Sequence, residues 1–151
     1  MTATELKDKL QSIRQTLSFE ETAEWLTVNV DSAEFHDFAL ELRDQAELDF
    51  DFLFCVTCVD WKTQLSMVYH LRSLDRKHSI VVKCKLDREK PEIQTVSDLW
   101  HTAEFHEREA YDLFGVKFTG HPDLRRLFLT DDWVGWPLRK DYDDPVNMIK
   151  L

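Results

Sequence analysis

The sequence predicts an α+β fold: a two-layer sandwich of a mostly antiparallel sheet with helices on one face, continued by an extended C-terminal tail. Three observations predict it. The order of elements reads α-β-α-β-β-β. The last three of these runs are joined by linkers short enough for antiparallel hairpins. Lys83 and Lys85 alternate with Val82, Cys84 and Leu86, the mark of a sheet with one wet face.

Each element has its own signal. Leu6, Leu10, Ile13 and Leu17 recur at helical spacing behind Thr4, which predicts a helix over 4–18 capped by that threonine. Residues 25–30 read as a strand with Trp25, Thr27 and Asn29 on one face. Asp31-Ser-Ala-Glu34 resembles a capping box and opens a helix to about Ala46, with Phe35, Phe38, Ala39 and Leu42 inward. Strands follow over 52–59, 65–71 and 80–86, and Pro91 breaks the chain. Ser97 is the expected cap of a helix over 98–114, closed by Gly115. Its apolar stripe is Leu99, Ala103, Ala110 and Leu113, widened by Trp100, Tyr111 and Phe114. Glu104, Arg108 and Asp112, four residues apart, predict a charge ladder flanked by Glu107 and Glu109. Exposed, such a ladder contributes only tenths of a kcal/mol per pair; covered by a partner, losing one member costs roughly 3–5 kcal/mol.

From Thr119 the periodicity stops, which sets the expected boundary between an α+β domain over 1–118 and a tail over 119–151. The tail carries Phe128, Trp133, Trp136 and Tyr142 beside paired basic residues, and disordered tails are poor in such aromatics. Thr130 can cap a single turn that Gly135 ends. The tail either lies on another protein's surface or wraps back over its own domain.

Composition narrows the function. The chain has 151 residues, enough for one domain with a real core. Its formal charge is -10. Residues 1–60 hold 14 acids and 4 bases against 15 and 15 in the remainder, so the excess lies entirely in the first part. Such a front disfavours nucleic acid and anionic lipid as partners. The N-terminus lacks an apolar signal region, and the most apolar stretch, 50–59, is too short to span a bilayer. A soluble, cytoplasmic protein that meets a membrane only through a partner is expected. Cys55-Val-Thr-Cys58 matches C-x-x-C, but side chains three apart on a strand point to opposite faces, so strand or core cysteines are expected. His101, Glu104 and His106 lack the i, i+4 histidine spacing of a helical metal site. With only 3 glycines and no cysteine set for a cluster, neither a phosphate loop nor an iron–sulfur centre is expected.

Three segments carry a resemblance. They are Glu107-Arg-Glu-Ala-Tyr-Asp-Leu-Phe-Gly-Val116, His121-Pro-Asp-Leu-Arg-Arg126 and Asp131-Asp-Trp-Val-Gly-Trp-Pro-Leu-Arg-Lys-Asp-Tyr142. Together they closely resemble the C subunit of respiratory complex I, the 30 kDa subunit family of NADH-quinone oxidoreductase. The likeness extends over 20–145 and is densest over 99–142. It implies a cofactor-free subunit of the hydrophilic arm, on the cytoplasmic face of the plasma membrane. There it would seat against the larger D subunit and neighbouring iron–sulfur subunits and support the quinone-reducing module. FMN, iron–sulfur clusters and quinone would belong to those neighbours. The motif positions Glu107, Arg108, Glu109, Asp112, His121, Arg125, Arg126, Arg139, Lys140 and Asp141, with Trp133 and Trp136 of the tail, are the partner-interface candidates. The sequence ends soon after Tyr142, so the separate C subunit rather than the fused C–D form is expected. A homologous scaffold in a membrane-bound hydrogenase or a ferredoxin-dependent assembly is the alternative, because the electron donor binds other subunits.

Overall fold

The structure, a computed structural model, describes residues 1–20, 24–146 and 148. The first helix, α1 (Ala3–Ile13), starts earlier and ends sooner than its periodicity predicts. Thr2, not Thr4, caps it: the Thr2 hydroxyl accepts from the Glu5 N–H and the Glu5 carboxylate accepts from the Thr2 N–H, a reciprocal capping box. Leu17 is buried from outside the helix. Two strands follow, β1 (Ser18–Glu20) and β2 (Thr27–Asp31), the first too short to show a period. Helix α2 (Phe35–Asp44) buries the four side chains expected of it. Its entry differs. Asp31 closes a local turn by accepting from Ala33 N, and Glu34 makes no side-chain cap.

Strands β3 (Phe52–Asp60), β4 (Leu65–Arg72) and β5 (Ser79–Leu86) match their expected spans within a residue. The sheet order is β1-β2-β5-β4-β3, antiparallel except for the central β2–β5 pair. One face packs Val30, Val82, Met67, Tyr69, Val56 and Cys58 against Leu6, Leu10, Phe35, Phe38 and Ala110 of the helices in a single core. The other face carries Trp25, Phe54 and His70, whose rings meet at 5.6–5.8 Å. The architecture is the expected α+β sandwich.

Beyond Leu86 the structure departs from the expected pattern. Two three-residue strands, β6 (Glu92–Gln94) and β7 (Lys117–Thr119), pair in parallel on either side of α3 (Ala103–Phe114). Residues 97–102 form turns rather than the first turns of α3. Ser97 is buried beside Thr95 instead of capping a helix, and Trp100 donates from its ring N–H to the Phe50 carbonyl at 3.0 Å. The Thr102 hydroxyl donates to the Leu53 carbonyl at 2.8 Å, covering part of the β3 edge. Gly115 ends α3 as expected, at φ +76°. The Trp136 ring lies so close that a Cβ at Gly115 would sit 2.5 Å from it, so only glycine serves here.

Candidate functional site

The charged residues of α3 form no exposed ladder. Glu107, Arg108 and Asp112 are all buried, and each looks toward a segment distant in sequence. Arg108 donates from Nε to the Arg125 carbonyl at 3.2 Å and from Nη2 to the Arg126 carbonyl at 3.0 Å, with the Phe105 ring beneath it. Asp112 is 0% exposed. Its Oδ2 accepts from the backbone N–H groups of Leu127, Phe128 and Leu129 at 3.0, 2.6 and 3.0 Å. Its Oδ1 accepts from Arg126 Nη1 at 2.9 Å. Burial alone would raise the Asp112 pKa; the three N–H donors and the guanidinium outweigh it and hold the group below its ordinary value.

Arg126 is the hub of the tail. Besides Asp112 it donates to the carbonyls of Trp133 at 2.9 Å and Gly135 at 3.3 Å, and its guanidinium lies 4.8 Å over the Trp136 ring. The last turn of α3 has no basic residue of its own. The tail supplies what is missing. Arg126 donates to the Asp112 carbonyl, Leu138 N to the Leu113 carbonyl, and Arg139 Nε to the Phe114 carbonyl at 2.7 Å. These groups satisfy carbonyls that a helix leaves open at its C-terminus, with cations where the dipole favours them.

A second clasp lies at the end of β3. Asp60 accepts from Arg88, from Lys62 N, and from Lys140 N at 2.8 Å. Arg88 also holds Asp141 at 2.7 Å, and Arg139 donates to the Arg88 carbonyl at 3.1 Å. Burial works against the Asp60 carboxylate, but Arg88 and the two N–H donors keep it well below the usual carboxylate range.

The candidates therefore separate into two sets. Glu107, Arg108, Asp112, His121, Arg126, Trp136 and Arg139 point inward or along the seam between α3 and the tail. The buried charge contacts that Arg108, Arg126 and Arg139 make are within this chain. Glu109 is exposed, and so is Arg125, which pairs with Asp123 at 2.8 Å. Lys140 and Asp141 are exposed, and Trp133 is half-buried. Sequence reasoning missed Thr95, Asp60 and Arg88, which carry no local pattern. It also missed the outward apolar residues Phe105 (59% exposed), Val134 (86%) and Leu138 (53%), which stand out like the tail aromatic Phe128 (66%).

The cysteines are free thiols. Burial pushes Cys58 up to about 12, and raises Cys55 with help from Glu109, so neither favours the reactive thiolate. Among the described residues, no three His, Cys, Asp or Glu side chains gather to hold a metal ion.

Residues 28–146 match the family described as the respiratory-chain NADH dehydrogenase 30 kDa subunit. The chain belongs to this family. Its matched span covers α2, α3, the main sheet from β2 onward, and the anchored tail. Named relatives agree. The chain is 44% identical over 116 residues to the NADH-quinone oxidoreductase C subunit of Chlorobium phaeobacteroides, covering 75% of this chain and 70% of that protein. It is 47% identical over 126 residues to the NADH-quinone oxidoreductase C/D subunit of Phocaeicola vulgatus. That match takes in 82% of this chain and 24% of the relative, so the chain spans about a quarter of the C/D protein's length. Two solved structures share the fold. The trypsin-resistant fragment of Nqo5 aligns with TM-score 0.71 at 31% identity, covering 79% of this chain and 98% of the fragment. A chain of the membrane-bound sulfane sulfur reductase, an archaeal respiratory membrane complex, aligns with TM-score 0.81 at 27% identity, covering 95% and 86%. A 30 kDa subunit fold thus occurs in more than one kind of respiratory assembly.

Proposed function

We propose that this 30 kDa family chain is a cofactor-free scaffold subunit in the peripheral arm of a proton-translocating NADH-quinone oxidoreductase, where it supports assembly of the quinone-reducing module. The observation that carries this reading is the two-sidedness of the tail. Charges fix its inner side to α3 and β3, while Phe128, Val134 and Leu138 stand out in water. Pinning a segment beforehand removes the ordering cost of binding, and exposed apolar side chains on a segment that also exposes Arg125, three residues before Phe128, have the make-up of an interface hot spot. The D subunit is the partner this reading assigns. Relatives named as C/D subunits unite both in one polypeptide, which keeps the two adjacent. FMN, iron–sulfur clusters and quinone then reside on neighbouring subunits. No helix among the described residues is long and apolar enough to cross a membrane, so attachment to its cytoplasmic face would run through the complex.

A scaffold role in a membrane-bound hydrogenase or ferredoxin-dependent assembly is the second reading, favoured by the likeness to the sulfane sulfur reductase chain. Affinity purification from native membranes separates them. Co-purification of the D subunit with flavin- and NADH-binding chains is the expected result. A nickel-binding large subunit in their place would establish the second reading, and recovery of the chain alone would defeat both.

A further inference from the structure

We propose that the root of the tail is a pH-sensitive latch, in which a neutral Glu107 leaves the His121 ring bridging α3 and residues 121–129 and a charged Glu107 loosens them. The side chains of Glu107 and His121 are both fully buried, with Oε2 and Nε2 3.9 Å apart. The ring spans the seam. Its Nε2 lies 3.0 Å from the Glu104 carbonyl and must carry the proton to donate there, and its Nδ1 accepts from Asp123 N at 3.0 Å. Both ring nitrogens are thus committed, one to α3 and one to the tail backbone. The ring has no proton left to offer Glu107.

As a carboxylate Glu107 receives two hydrogen bonds, from the Thr95 hydroxyl and from Val96 N at 2.9 Å; as the neutral acid it keeps the bond from Val96 N and donates its own proton to Thr95 Oγ1, whose hydroxyl hydrogen then turns to Ser97. Thr95 in turn accepts from Ser97 N and lies 2.8 Å from the Ser97 hydroxyl. Among the described residues no cation completes the set. The charged and titratable groups around it are Asp98 in the 97–102 turns, Tyr69 on β4, Glu104 and Arg108 on α3, and His121 and Asp123 in the tail. Arg108, the near cation, is turned to the Arg125 and Arg126 carbonyls. Burial accordingly pushes Glu107 up to about 7, against the pull of Thr95 and Val96.

Linkage gives the sign. The closed state keeps the Glu107 proton to a higher pH than an open state in which water reaches the carboxyl. Opening therefore becomes easier as pH rises from the ordinary carboxyl range to about 7, and the gain continues only until an already ionised closed state has nothing further to release. The His121 ring of the tail lies 3.9 Å from the carboxyl, so lifting the tail root is a motion that hydrates it. Any effect of the latch on docking rests on the proposed function; the latch itself is tested on the isolated chain.

The test is native-state amide exchange on the full chain at pH 5 and 8, with intrinsic rates corrected. The opening equilibrium at Asp123, Leu127, Phe128 and Leu129 is expected to rise at least tenfold between the two, while β4 amides stay constant. Glu107→Gln keeps the shape and an acceptor but cannot titrate, and should abolish the change. Equal opening in the natural chain at both pH values, or a persistent change in Glu107→Gln, overturns the latch. Should that variant not fold, the carboxyl carbon of Glu107 is titrated by NMR in the natural chain. A midpoint near 7 that moves with the Asp123 amide supports the latch, and a midpoint in the ordinary carboxyl range overturns it.

Discussion

Replacing Asp112 with alanine is expected to lower the melting temperature of the isolated chain by about 10 °C and to free the tail from α3. The Asp112 side chain takes four hydrogen bonds. One fully buried carboxylate accepts three consecutive backbone N–H groups and a guanidinium. Alanine leaves Arg126 without its counter-charge in a half-buried seam and strands the N–H groups of residues 127–129. Breaking a buried charged pair from one side costs roughly 3–5 kcal/mol, and a domain of this size loses about 2–4 °C per kcal/mol. Asp112→Asn keeps one acceptor oxygen but not the charge, and should fall between. Thermal melting followed by near-ultraviolet circular dichroism reads both effects, because Trp133 and Trp136 lie in the segment released. A shift of only a degree or two would mean that the network does not hold the tail.

Deleting residues 120–151 is expected to do more. The sequence alone suggests that 1–118 stands as a domain by itself, with the tail added for a partner. The structure gives the tail a further part in the fold. Without it Arg108, Asp112 and Asp60 lose acceptors or donors at buried sites, and the last carbonyls of α3 lose theirs. Two such charge sites at a few kcal/mol each approach the roughly 5–15 kcal/mol that holds a whole domain together. The truncated chain should therefore show a urea midpoint far below that of the full chain, or no cooperative transition. A transition near the full-chain midpoint would restore the picture of an independent domain.

Where the sequence was legible, hydrophobic period carried the information. Phe35, Phe38, Ala39 and Leu42 face inward because they recur at helical spacing, and the three long strands show through their alternation. Gly115 marked the end of α3 because few residues other than glycine enter the left-handed region there. The same method misread α3 itself. Glu107, Arg108 and Asp112 look like solvent residues to any hydropathy pattern, and their burial depends on partners at Thr95, Arg125 and residues 127–129. Asp60, in the short linker between two predicted strands, carries no local signal for the same reason: Arg88 and Lys140 reach it only in the folded chain. Strands β6 and β7 are three residues each, too short for any period. The family motif falls on segments whose charges are turned toward one another within the chain.

If the tail is fixed from within by charge and seats its outward apolar side chains on a partner, docking and folding should separate cleanly. The affinity of the D subunit for the Phe128→Ser, Val134→Ser double variant is the measurement that decides this. Both side chains are exposed, at 66% and 86%, and the Phe128 contact to Asp112 uses backbone only. The melting temperature should stay within about 2 °C of the natural chain, while binding weakens about a hundredfold, roughly 1.4 kcal/mol for each of two truncated interface residues. Unchanged affinity at unchanged stability would contradict the proposed docking, because the outward face of the tail would then not be where the D subunit sits.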